Sequence, residues 1–118
     1  MSTKSPECWA NDPQVRGVRI EISAEHSILL PHDEFAFAEL KSKGKEQHLR
    51  LVFAIHEVLV RGHSLRRIET AMQRSELSLL TTLSEKQRSL IPDGQPVVLE
   101  IVVTEAKTQE AALLSGSL

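Results

Sequence analysis

Apolar and polar residues alternate with period two at both ends of this chain. Val18-Arg19-Ile20-Glu21-Ile22-Ser23 places Val18, Ile20 and Ile22 on one face, the pattern of a half-buried strand. Ser27–Leu30 is a second strand candidate, closed by Pro31, which has no amide to give to a ladder. Pro96–Glu105 (PVVLEIVVTE) is rich in β-branched residues and follows the turn signal Pro92-Asp93-Gly94. The first and last strands expose apolar faces that need covering, so both are expected in one small sheet.

The middle of the chain carries two periods at once. Leu49, Val52, Phe53, His56, Leu59 and Val60 recur at helical spacing between Lys45 and Arg61. Leu49, Leu51, Phe53 and Ile55 also alternate, and Phe35 and Phe37 offer hairpin partners across a Lys41–Lys45 turn. The length of the segment, with Gly62 in a helix-ending position and Arg61 suited to a C-terminal dipole, favours helix over 45–61. Ser64 then caps a helix from Leu65 to Arg74, and Ser75 caps another from Glu76 to Ser89. The expected architecture is α+β: a small, mainly antiparallel sheet from N- and C-terminal strands, packed on about three central helices. Residues 1–14 are expected to form a mobile tail, 15–106 a single domain, and 107–118 a C-terminal tail. Trp9, within the first of these, is either a docking anchor or a loosely packed surface residue. The expected core is Ile20, Ile22, Phe53, Ile68, Met72, Leu79, Leu83, Leu99 and Ile101, each on the apolar side of its element.

The stretch 64–83 (SLRRIETAMQRSELSLLTTL) reads as two short amphipathic helices joined by a polar turn, the layout of a helix-turn-helix. Ser64, Ile68, Ala71, Met72, Ser75, Leu79 and Leu83 carry the frame, which resembles the "S-x-x-x-I-A-x-x-L-G-x-S" signature of bacterial helix-turn-helix regulators and resolvase-type domains. Glu69 stands where that signature has a small residue, and Gln73 where it has a glycine. The resemblance implies recognition by the 76–84 segment, which offers Glu76, Ser78, Thr81, Thr82 and Ser84 but no Lys or Arg. Positive charge lies just before it, on Arg61, His63, Arg66, Arg67 and Arg74, opposed locally by Glu69. Clustered cations of this kind suit phosphate contacts, and these five residues form the candidate nucleic-acid or partner-binding patch. A solvated helix face with a few ion pairs is the plainer alternative.

Composition narrows the classes. The chain has 118 residues, 41% of them hydrophobic and 25% charged, enough for one domain with a core that needs neither disulfide nor metal. A formal net charge of −2 provides no overall attraction to nucleic acid or anionic membrane. Three Phe and one Trp are too few for a base-stacking sheet. A single cysteine, Cys8, forms no intrachain disulfide and suits a reducing cytoplasm. No apolar run approaches the roughly 20 residues that span a bilayer, so no membrane partner is expected.

Chemistry-bearing patterns are sparse. His56-Glu57 begins like a zinc protease motif, but Val60 occupies the place of the second histidine. His32-Asp33-Glu34 is a compact ligand-capable triplet, but no convincing set of three metal ligands can be picked from the histidines and acids. The five scattered glycines make no phosphate loop, and no Gly-x-Ser-x-Gly elbow occurs. Neither metal nor cofactor is expected. The reading is a cytoplasmic, non-enzymatic regulatory or adaptor protein that binds itself as a homodimer and an unidentified protein. A helix-turn-helix DNA-binding regulator is one alternative, and a small enzyme or metal-binding domain is another. The apolar run Val97–Val103, broken only by Glu100, is expected to lie centrally in its sheet or to be covered by a second copy.

Overall fold

Where two periodicities competed in the middle of the chain, alternation won. The computed structural model describes residues 7–105, and there 45–61 is the arm and turn of a hairpin rather than a helix. Strand β5 (Glu46–Phe53) turns through Ala54 and Ile55 into β6 (His56–His63). Leu49, Leu51 and Phe53 on β5, and Val58 and Val60 on β6, are all fully buried on one face. Helical spacing would have left Leu51 and Val58 off the apolar stripe. The β-branched and aromatic residues here suit a pleated surface, so tertiary burial overrides the weaker helical signal. Strand β4 (Phe35–Lys43) pairs with β5 across the turn at Gly44, whose φ of 62° glycine adopts without steric cost. Phe35 packs edge-on against Phe53, ring centroids 5.5 Å apart.

The fold is therefore mostly β, and the expected α+β arrangement of one sheet on about three helices is incorrect. Strands β1 (Trp9–Asn11), β2 (Gly17–Ser23), β3 (His26–Pro31) and β7 (Leu77–Thr81) form one four-stranded sheet in the order β1-β7-β2-β3. The second sheet runs β4-β5-β6-β8, with β8 at Val97–Glu105. Among the described strands only β2 and β7 pair in parallel. Strands β2, β3 and β8 lie where alternation placed them, but β2 and β8 belong to different sheets instead of sharing one. Of the stretch expected as an N-terminal tail, 1–6 lie outside the described residues, while Trp9–Asn11 pairs with β7. The expected C-terminal tail, 107–118, also lies outside them.

Two helices are present among the described residues, α1 (Arg66–Gln73) and the single-turn α2 (Glu85–Arg88). The helix-turn-helix is not formed. Helix α1 matches the expected 65–74 segment, with Ile68, Ala71 and Met72 buried. Ser75, however, does not start another helix. It takes φ 57°, its amide bonds the Met72 carbonyl, and the Glu76 amide bonds the Ala71 carbonyl at 2.9 Å. This pair of bonds is a Schellman closure, which ends α1 and sends the chain into β7. Ser64 is likewise left-handed, at φ 56°, and leaves Leu65 as an N-cap without a side-chain bond. Both serines read as caps in the sequence are turns in the fold. The capping box that does occur joins Ser84 and Gln87 at the start of α2.

One cluster of buried side chains runs through both sheets and α1. Of the expected core, Ile20, Phe53, Ile68, Met72, Leu83 and Ile101 are buried, whereas Ile22, Leu79 and Leu99 are only half-buried. The outward step of Leu99 has a clear cause. The register between β6 and β8 slips so that Arg61 pairs with Glu100 but Gly62 pairs with Val98, and Leu99 is the bulged residue between them. Gly62 is required there, because a Cβ would sit 1.9 Å from the Val97 carbonyl oxygen.

Two stability measurements check this packing. Leu80→Ala removes a fully buried side chain and should cost about 2–5 kcal/mol, while Leu79→Ala, on the outer face of the same strand, should cost clearly less. Gly62→Ala should lower the melting temperature although it adds a single methyl, since backbone must move to admit it. Equal melts for the two leucine variants would show that the facing of β7 is wrong.

Candidate functional site

The five cationic positions singled out in the sequence divide between two surfaces. Arg61 and His63 belong to β6 and the outer face of the second sheet, so they are not part of a helical patch. Arg66, Arg67 and Arg74 lie along α1 and share one hollow of about 330 Å³ with Trp9, Asn11, Thr70, Ala71 and Glu76.

On the outer face, register sets the neighbours. Across the four strands one row reads Glu39, Arg50, Leu59, Val102, and the next reads Lys41, His48, Arg61, Glu100. Opposite charges stand beside one another in both rows. Arg61 bonds Glu46 at 2.9 Å and Glu100 at 3.2 Å, and Arg50 bonds Glu57 while its guanidinium lies 5.4 Å from the Phe37 ring centre. The hydrogen bond that Arg61 donates to Glu100, and then the charge of Glu46, hold the guanidinium more firmly protonated. Arg61 is thus committed to its own sheet, and His63 to the Lys45 carbonyl at 2.8 Å. Between these pairs the face leaves large apolar side chains in solvent: Phe37 is 47% exposed, Leu59 40% and Val102 41%.

At the hollow on α1 the charges are less consumed. Arg66 is 78% exposed and reaches Glu69 only at 3.9 Å; Arg67 bonds Gln95 at 3.0 Å; Arg74 is exposed at the C-cap. Two of these cations occupy the first turn of α1, where the helix dipole disfavours them and Glu69 is the one acidic offset. The other wall is β1, an edge strand. Residues Glu7 to Asn11 also line a second hollow of about 500 Å³, whose far side is Ile91, Pro92, Gln95 and Pro96. Trp9 and Asn11 belong to both hollows, and the Arg67–Gln95 bond spans them. No protein-family model matches the chain, and no curated protein or solved structure matches it either.

The histidines do not gather. His32 sits in a 3-10 turn (His32–Glu34), and its Nε2 is 2.8 Å from the Leu77 carbonyl, which ties the crossover between the sheets to β7. The Nδ1 atoms of His32 and His56 are buried without a partner. Among the described residues no group of three His, Cys, Asp or Glu side chains is placed to hold a metal ion. Gln95 and the open edge of β1 were not singled out in the sequence. A glutamine in a Pro-Gly turn and a three-residue strand carry no periodic signal, and only the fold brings them to the arginines.

Cys8 lies beneath this region rather than in a loose tail. It is fully buried and its thiol donates to the Pro96 carbonyl at 3.3 Å. Burial pushes the thiol's pKa up from its ordinary value, against the opposing pull of backbone hydrogen bonds. Once the pH passes the ordinary thiol range, the unfolded chain releases this proton while the folded one retains it, so stability declines with rising pH. Between neutral pH and pH ~10, the parent's melting temperature should therefore fall more steeply than that of Cys8→Ala. Parallel curves would show that the thiol does not contribute.

Proposed function

We propose that this protein is a non-enzymatic regulatory or adaptor module that works through protein–protein contact and pairs with a second copy of itself. The observation that carries the pairing is the position of β8. Its apolar sequence calls for a central place in the sheet or cover from a second copy, and among the described residues β8 is an edge strand. Each of the other three sheet edges is less suited to pairing along its length with a second copy. β1 spans three residues, β3 ends in Pro31, and β4 carries Glu39, Lys41 and Lys43 with an irregularity between Phe35 and Phe37. β8 runs nine residues with no proline, and Glu100 is its only charge before Glu105.

An antiparallel pairing of β8 with its own copy is self-complementary. Centred on Ile101, it sets Leu99 against Val103 and Ile101 against its own copy; centred on Val102, it sets Ile101 against Val103. Glu100 then opposes Val102 or Thr104, and no two carboxylates meet. The two outer faces, with Leu59 and Val102 exposed beside the seam, become one continuous surface. Arg61 and Glu100 already neutralise each other there, so the seam carries little net charge to repel a second copy.

The helix-turn-helix route to DNA has no scaffold in this fold, because the segment expected as a recognition helix is β7. Among the described residues no helix is long and apolar enough to cross a membrane.

Size-exclusion chromatography with light scattering checks the proposal. The parent should run at twice its 13.2 kDa chain mass, and Val102→Lys, at an exposed position of the edge, should run at the chain mass with an unchanged circular dichroism spectrum. A parent that stays at the chain mass up to its solubility limit overturns the pairing.

A further inference from the structure

We propose that the trough between β1, the 91–96 turn and α1 is a docking site for an extended acidic peptide, which adds as a strand to the open edge of β1. This rests on the reading of the protein as an interaction module, though not on its pairing through β8.

The backbone supplies the first argument. Five consecutive residues, Glu7 to Asn11, line one hollow. Side chains along a strand point alternately to opposite faces, so a run of consecutive lining residues means that the strand's edge itself forms the wall. Hydrogen bonding gives the direction. The Thr81 amide donates to the Cys8 carbonyl at 2.8 Å and the Asp12 amide to the Glu76 carbonyl at 2.7 Å. Residues 8, 10 and 12 thus face β7, and alternation turns the amide and carbonyl groups of Trp9 and Asn11 toward the trough. These are the groups an added strand engages.

A three-residue edge is too short to hold a partner by backbone bonds alone, and the walls supply the remainder. Trp9 is half-buried and forms part of both hollows, flanked by Ile91, Pro92 and Pro96, which suits an apolar side chain of the added strand. At the α1 end stand Arg66, Arg67 and Arg74. Arg67 and Arg74 are seven residues apart, so they rise on the same side, with Thr70 and Ala71 forming a low floor between them. The carboxylate of the same hollow, Glu76, accepts a bond from the Asn11 side chain, and Glu7 lies at the opposite end of the trough. The charge that faces a peptide at the α1 end is therefore positive, and a partner with Asp or Glu there and apolar residues toward Ile91 and Pro92 fits both halves.

Selection from a phage-displayed library of random twelve-residue peptides tests this, with the full chain as bait. Enriched peptides should carry Asp or Glu toward one end and apolar residues toward the other, and a synthetic copy should shift the fluorescence of Trp9, the chain's single tryptophan, to saturation. The double variant Arg67→Glu/Arg74→Glu should weaken that peptide at least tenfold and accept its Lys-substituted counterpart instead. Methylating alternate backbone nitrogens of the peptide should abolish binding, since strand addition needs those donors. Absence of enrichment, enrichment without acidic residues, or undiminished binding of the methylated peptide each overturns the proposal. A dimer that selects no peptide removes this site and leaves the β8 pairing intact. A monomer that selects acidic peptides does the reverse.

Discussion

The structure depends on one close backbone approach. At Gly62 the β6 strand comes so near to the start of β8 that a Cβ would overlap the Val97 carbonyl oxygen. That approach is coupled to the bulge at Leu99, which turns Val98 and Ile101 both into the core although they are three residues apart. A regular strand cannot do this, because residues of odd separation face opposite sides. With Val98 turned inward, its carbonyl receives the Leu83 amide at 3.2 Å, and the neighbouring Pro96 carbonyl receives the Cys8 thiol at 3.3 Å. The start of β8 is thereby stitched to the chain segments that border the first sheet.

From that stitch follows the placement of the exposed features. The first half of β8 is held between the sheets, so its second half emerges as a long edge with Val102 in solvent. The same stitch draws the 91–96 turn alongside Glu7–Asn11, since Cys8 beneath and Pro96 above are bonded to each other. Gln95, carried on this turn, then reaches Arg67 on α1. The trough at β1 and the edge at β8 are thus two consequences of one junction.

The arginines show how a sequence cluster separates in space. Arg61 and Arg66 are five residues apart, yet the left-handed turn at Ser64 sends one onto the outer face of the second sheet and the other onto α1. Arg61 then meets Glu46 and Glu100, from strands remote in sequence, and is neutralised. Among the described residues, Arg66, Arg67 and Arg74 have Glu69 and Glu76 as their carboxylate neighbours and keep a net positive field. Proximity in sequence grouped five cations that the fold divides, three along α1 and two on β6.

Local sequence by itself determined the strands at 17–23, 26–31 and 97–105, the helix at 66–73, and the turn at Pro92-Asp93-Gly94. In each, periodicity and turn chemistry agreed. It also fixed the absence of a phosphate loop, an elbow nucleophile and a zinc-protease pair, which are properties of spacing alone. The tertiary structure decided the rest. Between 45 and 61 two periods fitted nearly the same apolar residues, and only the chance to bury Leu49, Leu51, Phe53, Val58 and Val60 against a second layer chose the strands. Ser64 and Ser75 are good caps by residue type, but the value of a cap depends on whether the chain continues as helix, and here it had to turn back to reach β2 and β4. The docking trough was illegible for the same reason. Its walls come from residues 7–11, 66–74 and 91–96, and nothing along the chain records that these three segments meet.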